Sequence, residues 1–183
     1  ILLCENETGW NNLLKLITAA YLEGFYYKPR IDKELLKKHH EGLIATSACL
    51  SGEISRLIQK NKLEEARTRA LEYQNIFGAG NFYIEIGNHP NIKETVPVMA
   101  ELIEVSKSTG IPLVATQDIH YLKKDDAHYH DILLAVQTGN KLSDDDRLTL
   151  KQDDFSMRSP EEMAELFKNH PEAIENTEKI AAR

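Results

Sequence analysis

The stretch Ile111-Pro112-Leu113-Val114-Ala115-Thr116-Gln117-Asp118-Ile119-His120 opens as an apolar run and ends in a carboxylate and an imidazole. The run is too short for a helix and follows Gly110, so it reads as a buried strand, with Pro112 tolerated only near its start. Two stretches upstream have the same character. Leu43-Ile44-Ala45-Thr46-Ser47-Ala48 is a short buried strand, and Asn81 to Ile86 is another, with Phe82, Ile84 and Ile86 alternating against Tyr83 and Glu85.

Helical patterns fill the intervals. Ser51 to Asn61 and Leu63 to Phe77 read as two helices, the second burying Ala66, Ala70, Leu71 and Phe77; Lys93 to Ser108 presents Val98, Leu102 and Val105. Strand, helix, strand, helix, strand is the grammar of a parallel sheet packed under helices, an α/β fold. Three strands are too few for a closed barrel of eight. Either the fold is small and open, or strands precede Ile1. The apolar opening Ile1-Leu2-Leu3-Cys4 reads as a start in mid-element, which makes a fragment the expectation.

On the amino-terminal side, Leu13, Leu14, Ile17, Ala20 and Tyr21 mark a helix from Thr8 to about Gly24. The aromatic turn Phe25-Tyr26-Tyr27-Lys28-Pro29-Arg30 follows, then a short helix from Lys33 to His40. On the other side, Asp125 to Gln137 is helical, Asp144-Asp145-Asp146 is a solvated loop, and Phe155-Ser156-Met157 is a candidate edge strand. Ser159 and Glu162 form a capping box with Pro160 at the first helical position, and Pro171 opens a last helix to Ala182. These two helices read as an appendage leading to another domain.

Lys and Arg number 22 against 29 Asp and Glu, a net charge of −7, which argues against binding nucleic acid by wholesale phosphate neutralisation. A metal site acting on phosphates stays compatible with that charge, because cations reverse the local field. No stretch is apolar enough to cross a membrane and no secretory signal is legible, so a cytoplasmic protein with Cys4 and Cys49 as free thiols is expected. Phosphate-binding glycine loops, nucleophile elbows, His-Glu-x-x-His helices and paired-cysteine zinc knuckles are absent.

In βα folds, catalysis sits at the carboxyl ends of strands. Cys49, Asp118 and His120 lie just past two of them. Asp118 and His120, two apart in an extended segment, can approach one ion. Thiolate with carboxylate and imidazole suits zinc, whereas carboxylate-bridged pairs suit manganese or iron. The plainer readings are a buried small hydrophobe for Cys49, a turn cap for Asp118 and a hydrogen-bonded loop histidine for His120. His89, beyond the second strand, is either a fourth rim group or a loop histidine, and Glu53 is a helix-terminus acid. His128 and His130 do not share a helix face, and His39-His40 reads as a solvated helix end. Lys28 and Arg30 are the best basic candidates for a phosphate or an interdomain contact.

Taken together, Glu5-Asn6-Glu7-Thr8-Gly9-Trp10-Asn11-Asn12-Leu13, Glu23-Gly24-Phe25-Tyr26-Tyr27-Lys28-Pro29-Arg30, Ser47-Ala48-Cys49-Leu50-Ser51-Gly52-Glu53, Pro112 to Tyr121 and Leu133-Leu134-Ala135-Val136-Gln137-Thr138-Gly139 resemble the bacterial DNA polymerase III alpha family. The likeness covers nearly the whole chain and points to the amino-terminal polymerase-and-histidinol-phosphatase (PHP) domain. It implies a distorted, TIM-like βα barrel of seven strands, here incomplete and lacking its N-terminal strands. Residues 1–158 would be the carboxy-terminal majority of that domain and 159–183 helices leading to the next polymerase domain.

The resemblance places Cys49, Asp118 and His120 at metal-cluster positions, with His89 as a neighbour. It implies divalent ions, zinc or manganese here and magnesium for synthesis by the parent polymerase, and partners in DNA, other polymerase III domains and holoenzyme subunits. Three functions follow from it. The first is a PHP region of a replicative polymerase with metal-dependent 3′ to 5′ exonuclease activity. The second is a non-catalytic scaffold or interaction domain, and the third a stand-alone PHP phosphoesterase.

Overall fold

The computed structural model describes residues 1–183. In chain order its elements are β1 (Leu2–Cys4), α1 (Glu7–Leu22), α2 (Lys33–Lys38), β2 (Leu43–Thr46), α3 (Glu53–Gln59), α4 (Leu63–Phe77), β3 (Phe82–Gly87), α5 (Thr95–Thr109) and β4 (Leu113–Thr116). A 3-10 turn at Lys124–Asp126 then leads into α6 (Ala127–Thr138), α7 (Pro160–Leu166) and α8 (Pro171–Ala181).

The three strands read from the sequence are neighbours in the order β2-β3-β4 and run parallel, as their intervening helices require. The opening apolar run adds β1, which pairs antiparallel with β2 through Leu2 and Ala45. The result is an open, four-stranded mixed sheet that does not close on itself, consistent with an incomplete, distorted barrel.

Alternation along the strands sorts the two faces. Leu43, Ala45, Phe82, Ile84, Ile86, Leu113 and Ala115 join Ile54, Ala66, Ala70, Val98 and Leu102 of the helices in the main core. Ile44, Tyr83 and Val114 point the other way and form a second cluster. Residues 159–183, expected to lead onward, pack on this sheet. Ile180 lies on the second cluster, Ala173 is fully buried, and Asn176 donates a 2.8 Å hydrogen bond to the Leu113 carbonyl. The capping box at Ser159 and Glu162 forms as its sequence signature indicates.

Two local differences have physical causes. The first helix begins at Glu7 because the Asn6 side chain accepts from the Gly9 N–H and caps it. Phe155-Ser156-Met157 forms only a single bridge, Ser156 to Tyr121, and no strand. There the Phe155 N–H donates to the Tyr121 hydroxyl and the Ser156 N–H to the Asp154 carboxylate, so side chains have taken the donors a ladder would need.

One close approach fixes α1 against the loop before β2. A Cβ on Gly9 would lie 1.8 Å from the Gly42 carbonyl oxygen, and Gly42 itself has φ +72°.

Candidate functional site

The carboxyl ends of β2, β3 and β4 meet at a pocket of about 190 Å³. β2 contributes Ala48 and Cys49 from the turn that follows it, β3 contributes Glu85 and, just beyond, His89, and β4 contributes Thr116 and Asp118. Leu102 and Met99 of α5 floor it, and Leu150 and Phe155 close over it from the long segment after α6.

The turns that carry these groups are under backbone strain. Ala48 has φ +61° and Asp118 φ +51°, left-handed positions that an L side chain occupies at a cost of about 1–2 kcal/mol each. The strain turns the chain sharply at the end of β2 and of β4, where rim side chains are aimed.

Glu85 is the best anchored of the rim groups. It is buried, its carboxylate accepts from Thr46 at 2.5 Å and from Thr116 at 2.7 Å, and its N–H donates to the Ser47 hydroxyl at 2.8 Å. One side chain on the central strand thereby ties both neighbours together. Around it, several buried polar atoms have no partner: both ring nitrogens of His89, Ser55 Oγ and Thr95 Oγ1. Burial pushes the His89 imidazole below its ordinary pKa, against the opposing pull of Asp153 and Asp118, so its neutral form is favoured.

Of the four expected ligands, Cys49, His89 and Asp118 line this pocket, whereas His120 is absent from its lining. His120 Nε2 lies 3.5 Å from Asp118 Oδ1. Phe155 packs against both imidazoles, stacked on His89 at a centroid distance of 4.2 Å and edge-on to His120 at 5.5 Å. The donor types suit zinc or manganese, but the placement does not fit an ion, because no three His, Cys, Asp or Glu side chains are gathered to hold one.

The remaining candidates lie apart. Lys28 and Arg30 do not line the pocket; the Arg30 guanidinium lies over the Tyr26 ring at 5.4 Å, on an exposed aromatic turn. Glu53 accepts from Tyr73 and pairs with Arg69, a structural tie between α3 and α4. His130 packs beside His120 with centroids 5.3 Å apart, and the His40 ring bonds the Lys37 carbonyl.

Sequence reasoning left Glu85 without a role and missed Ser55 and Thr95. A glutamate within an otherwise apolar central strand was the available signal for the first; the hydroxyls carry none, because their burial depends on how α3 and α5 pack together.

No helix is long and apolar enough to cross a membrane. Residues 1–89 match the PHP domain. Over the whole chain, the DNA polymerase III subunit alpha of Borreliella burgdorferi is 48% identical and that of Treponema pallidum 45%. That of Thermus aquaticus is 43% identical over 98% of the chain. The chain spans only 16% of the length of the first two and 15% of the third.

Proposed function

We propose, from its likeness to the PHP regions of bacterial DNA polymerase III alpha subunits, that the chain belongs with them and serves such a polymerase as a non-catalytic structural platform in the cytoplasm. The parent protein would carry out templated DNA synthesis with magnesium elsewhere in its length. Its partners would be DNA, the other polymerase domains and the holoenzyme subunits. Residues 159–183 would hand the chain on to the next domain while anchored to this sheet.

The observation that carries the platform reading is the rim itself: His89 and His120 share the Phe155 ring, and the ligand types are not gathered around a common point. A built hydrolytic centre would need its donors converging before substrate arrives. The test uses the full-length alpha subunit and its Asp118→Ala variant, with bound metal and 3′-nucleotide release measured on both. The platform reading expects neither to fall in the variant. Loss of both together would overturn it.

A second reading, a metal-dependent 3′ to 5′ exonuclease using Cys49, Asp118, His120 and His89 with zinc or manganese, is favoured by one observation. Three of those side chains line a single pocket in which buried His89 leaves both nitrogens unpartnered. The stand-alone phosphoesterase reading finds no comparable support.

A further inference from the structure

A second cavity, of about 540 Å³, is lined by chain neighbours of the rim residues His89 and Phe155. It is bounded by the loop after β3 at Asn88 and Asn91, by the 3-10 turn at Lys124, and by the segment from Lys151 to Arg158. Consecutive residues serve the two spaces, Leu150 closing the rim pocket and Lys151 lining the neighbouring cleft.

The cleft is cationic in a chain of net charge −7. Lys124 and Lys151 make no ion pair, and Arg158 has only Asp154, at 3.5 Å, with its buried Nε unpartnered. The two aspartates in the wall also accept backbone hydrogen bonds. Asp153 accepts the N–H groups of Asn91 and Asp154 at 2.8 and 2.7 Å, and Asp154 accepts that of Ser156 at 3.0 Å. Backbone donors thus orient the carboxylates without neutralising them, and three cations against two carboxylates leave the wall one positive charge in excess. Planar guanidinium with two flexible ammonium groups is a donor set suited to phosphate oxygens.

We propose that this cleft binds the phosphate groups of a polynucleotide strand through Lys124, Lys151 and Arg158, holding the strand beside the rim pocket. The choice of a polynucleotide rests on the polymerase reading above; the demand for a phosphate group rests on the cleft alone. Phosphates seated there would lie against the Asn88 to Asn91 loop, which carries His89 into the pocket. A platform domain would in this way steady DNA without cleaving it.

The experiment is a lysine acylation footprint on the full-length alpha subunit, read peptide by peptide by mass spectrometry, with an oligothymidylate, with inorganic phosphate alone and with neither. The oligonucleotide should slow acylation of Lys124 and Lys151 several-fold while Lys37 and Lys168, each paired to a glutamate three residues before it, react unchanged. Raised salt should erase the effect. Arg158→Gln should abolish protection at both lysines, and Lys151→Gln should abolish it at Lys124, a second variant for the case in which the first does not fold. Equal rates with and without oligonucleotide would overturn the proposal, as would protection by inorganic phosphate but not by the oligonucleotide. Metal content and nucleotide release, which test the platform reading, do not enter this readout, so either idea can fail without the other.

Discussion

Arg147 holds Asp131 through two parallel hydrogen bonds, Nη1 to Oδ1 at 2.6 Å and Nη2 to Oδ2 at 2.7 Å. Thr149 adds a third at 2.7 Å. Both charged side chains are largely shielded from water, and the pair ties the segment after α6 back onto that helix. The guanidinium beside Asp131, opposed by burial and helped by Thr149, holds its carboxyl far below the usual carboxylate range. Because the folded value is depressed, this contribution is complete above about pH 4, the unfolded value, and is lost as pH falls through the folded one. Asp131→Asn should therefore lower the melting temperature by several degrees at neutral pH and speed hydrogen exchange in residues 140–150, with the gap to the parent closing in acid. Melts of both proteins from pH 7 downward check this, and a gap independent of pH would refute it.

Glu85 joins Thr46 to Thr116 across the central strand. Glu85→Ala leaves both partly buried hydroxyls without their acceptor and should cost about 1–3 kcal/mol. Glu85→Gln keeps an acceptor and should cost less. Urea unfolding distinguishes the two, and equal losses would mean that the side chain matters only for its volume.

Gly9 and Gly42 are in backbone contact, so Gly9→Ala must push α1 off the loop before β2. The expected penalty is at least the roughly 1–3 kcal/mol typical of overpacking. Urea unfolding measures it, and hydrogen exchange should quicken in α1 more than in α5. A variant as stable as the parent would show that the two segments separate freely.

Asn176 on α8 satisfies the Leu113 carbonyl of β4. Asn176→Ala should cost about 1 kcal/mol and make the chain near Pro171 more susceptible to limited proteolysis. Unchanged cleavage would mean that Ala173 and Ile180 alone hold the helix in place.

Ile84 is fully buried in the main core at the middle of β3. Ile84→Ala should cost about 2–5 kcal/mol, far more than a substitution on the exposed face of α1 such as Leu14→Ala. Paired denaturation curves compare them, and similar costs would place the stabilising core elsewhere.

Local signals were enough for most of the elements. The strands around Ile44, Ile84 and Val114, the helices between them, and the capping box at Ser159 are set by neighbours in the chain: side-chain period, caps and glycine stops act over a few residues, and the sequence displays those residues together. Parallel pairing followed from the same information, because a helix between two strands leaves no room for a hairpin. The rim positions of Cys49 and Asp118 were legible for that reason, whereas His89 stayed open between a rim group and a loop histidine.

Tertiary structure alone decided the rest. The antiparallel pairing of β1, the docking of Asn176 on Leu113, the grip of Arg147 on Asp131 and the insertion of Phe155 against His89 and His120 join residues between 16 and 66 positions apart. Whether four ligand-type side chains meet on one ion is likewise a matter of tenths of an ångström set by packing, and no spacing of letters carries it. The residue types at the rim were determined by the sequence; their arrangement around a phenyl ring, beside a cationic cleft, was determined by how the folded segments close on one another.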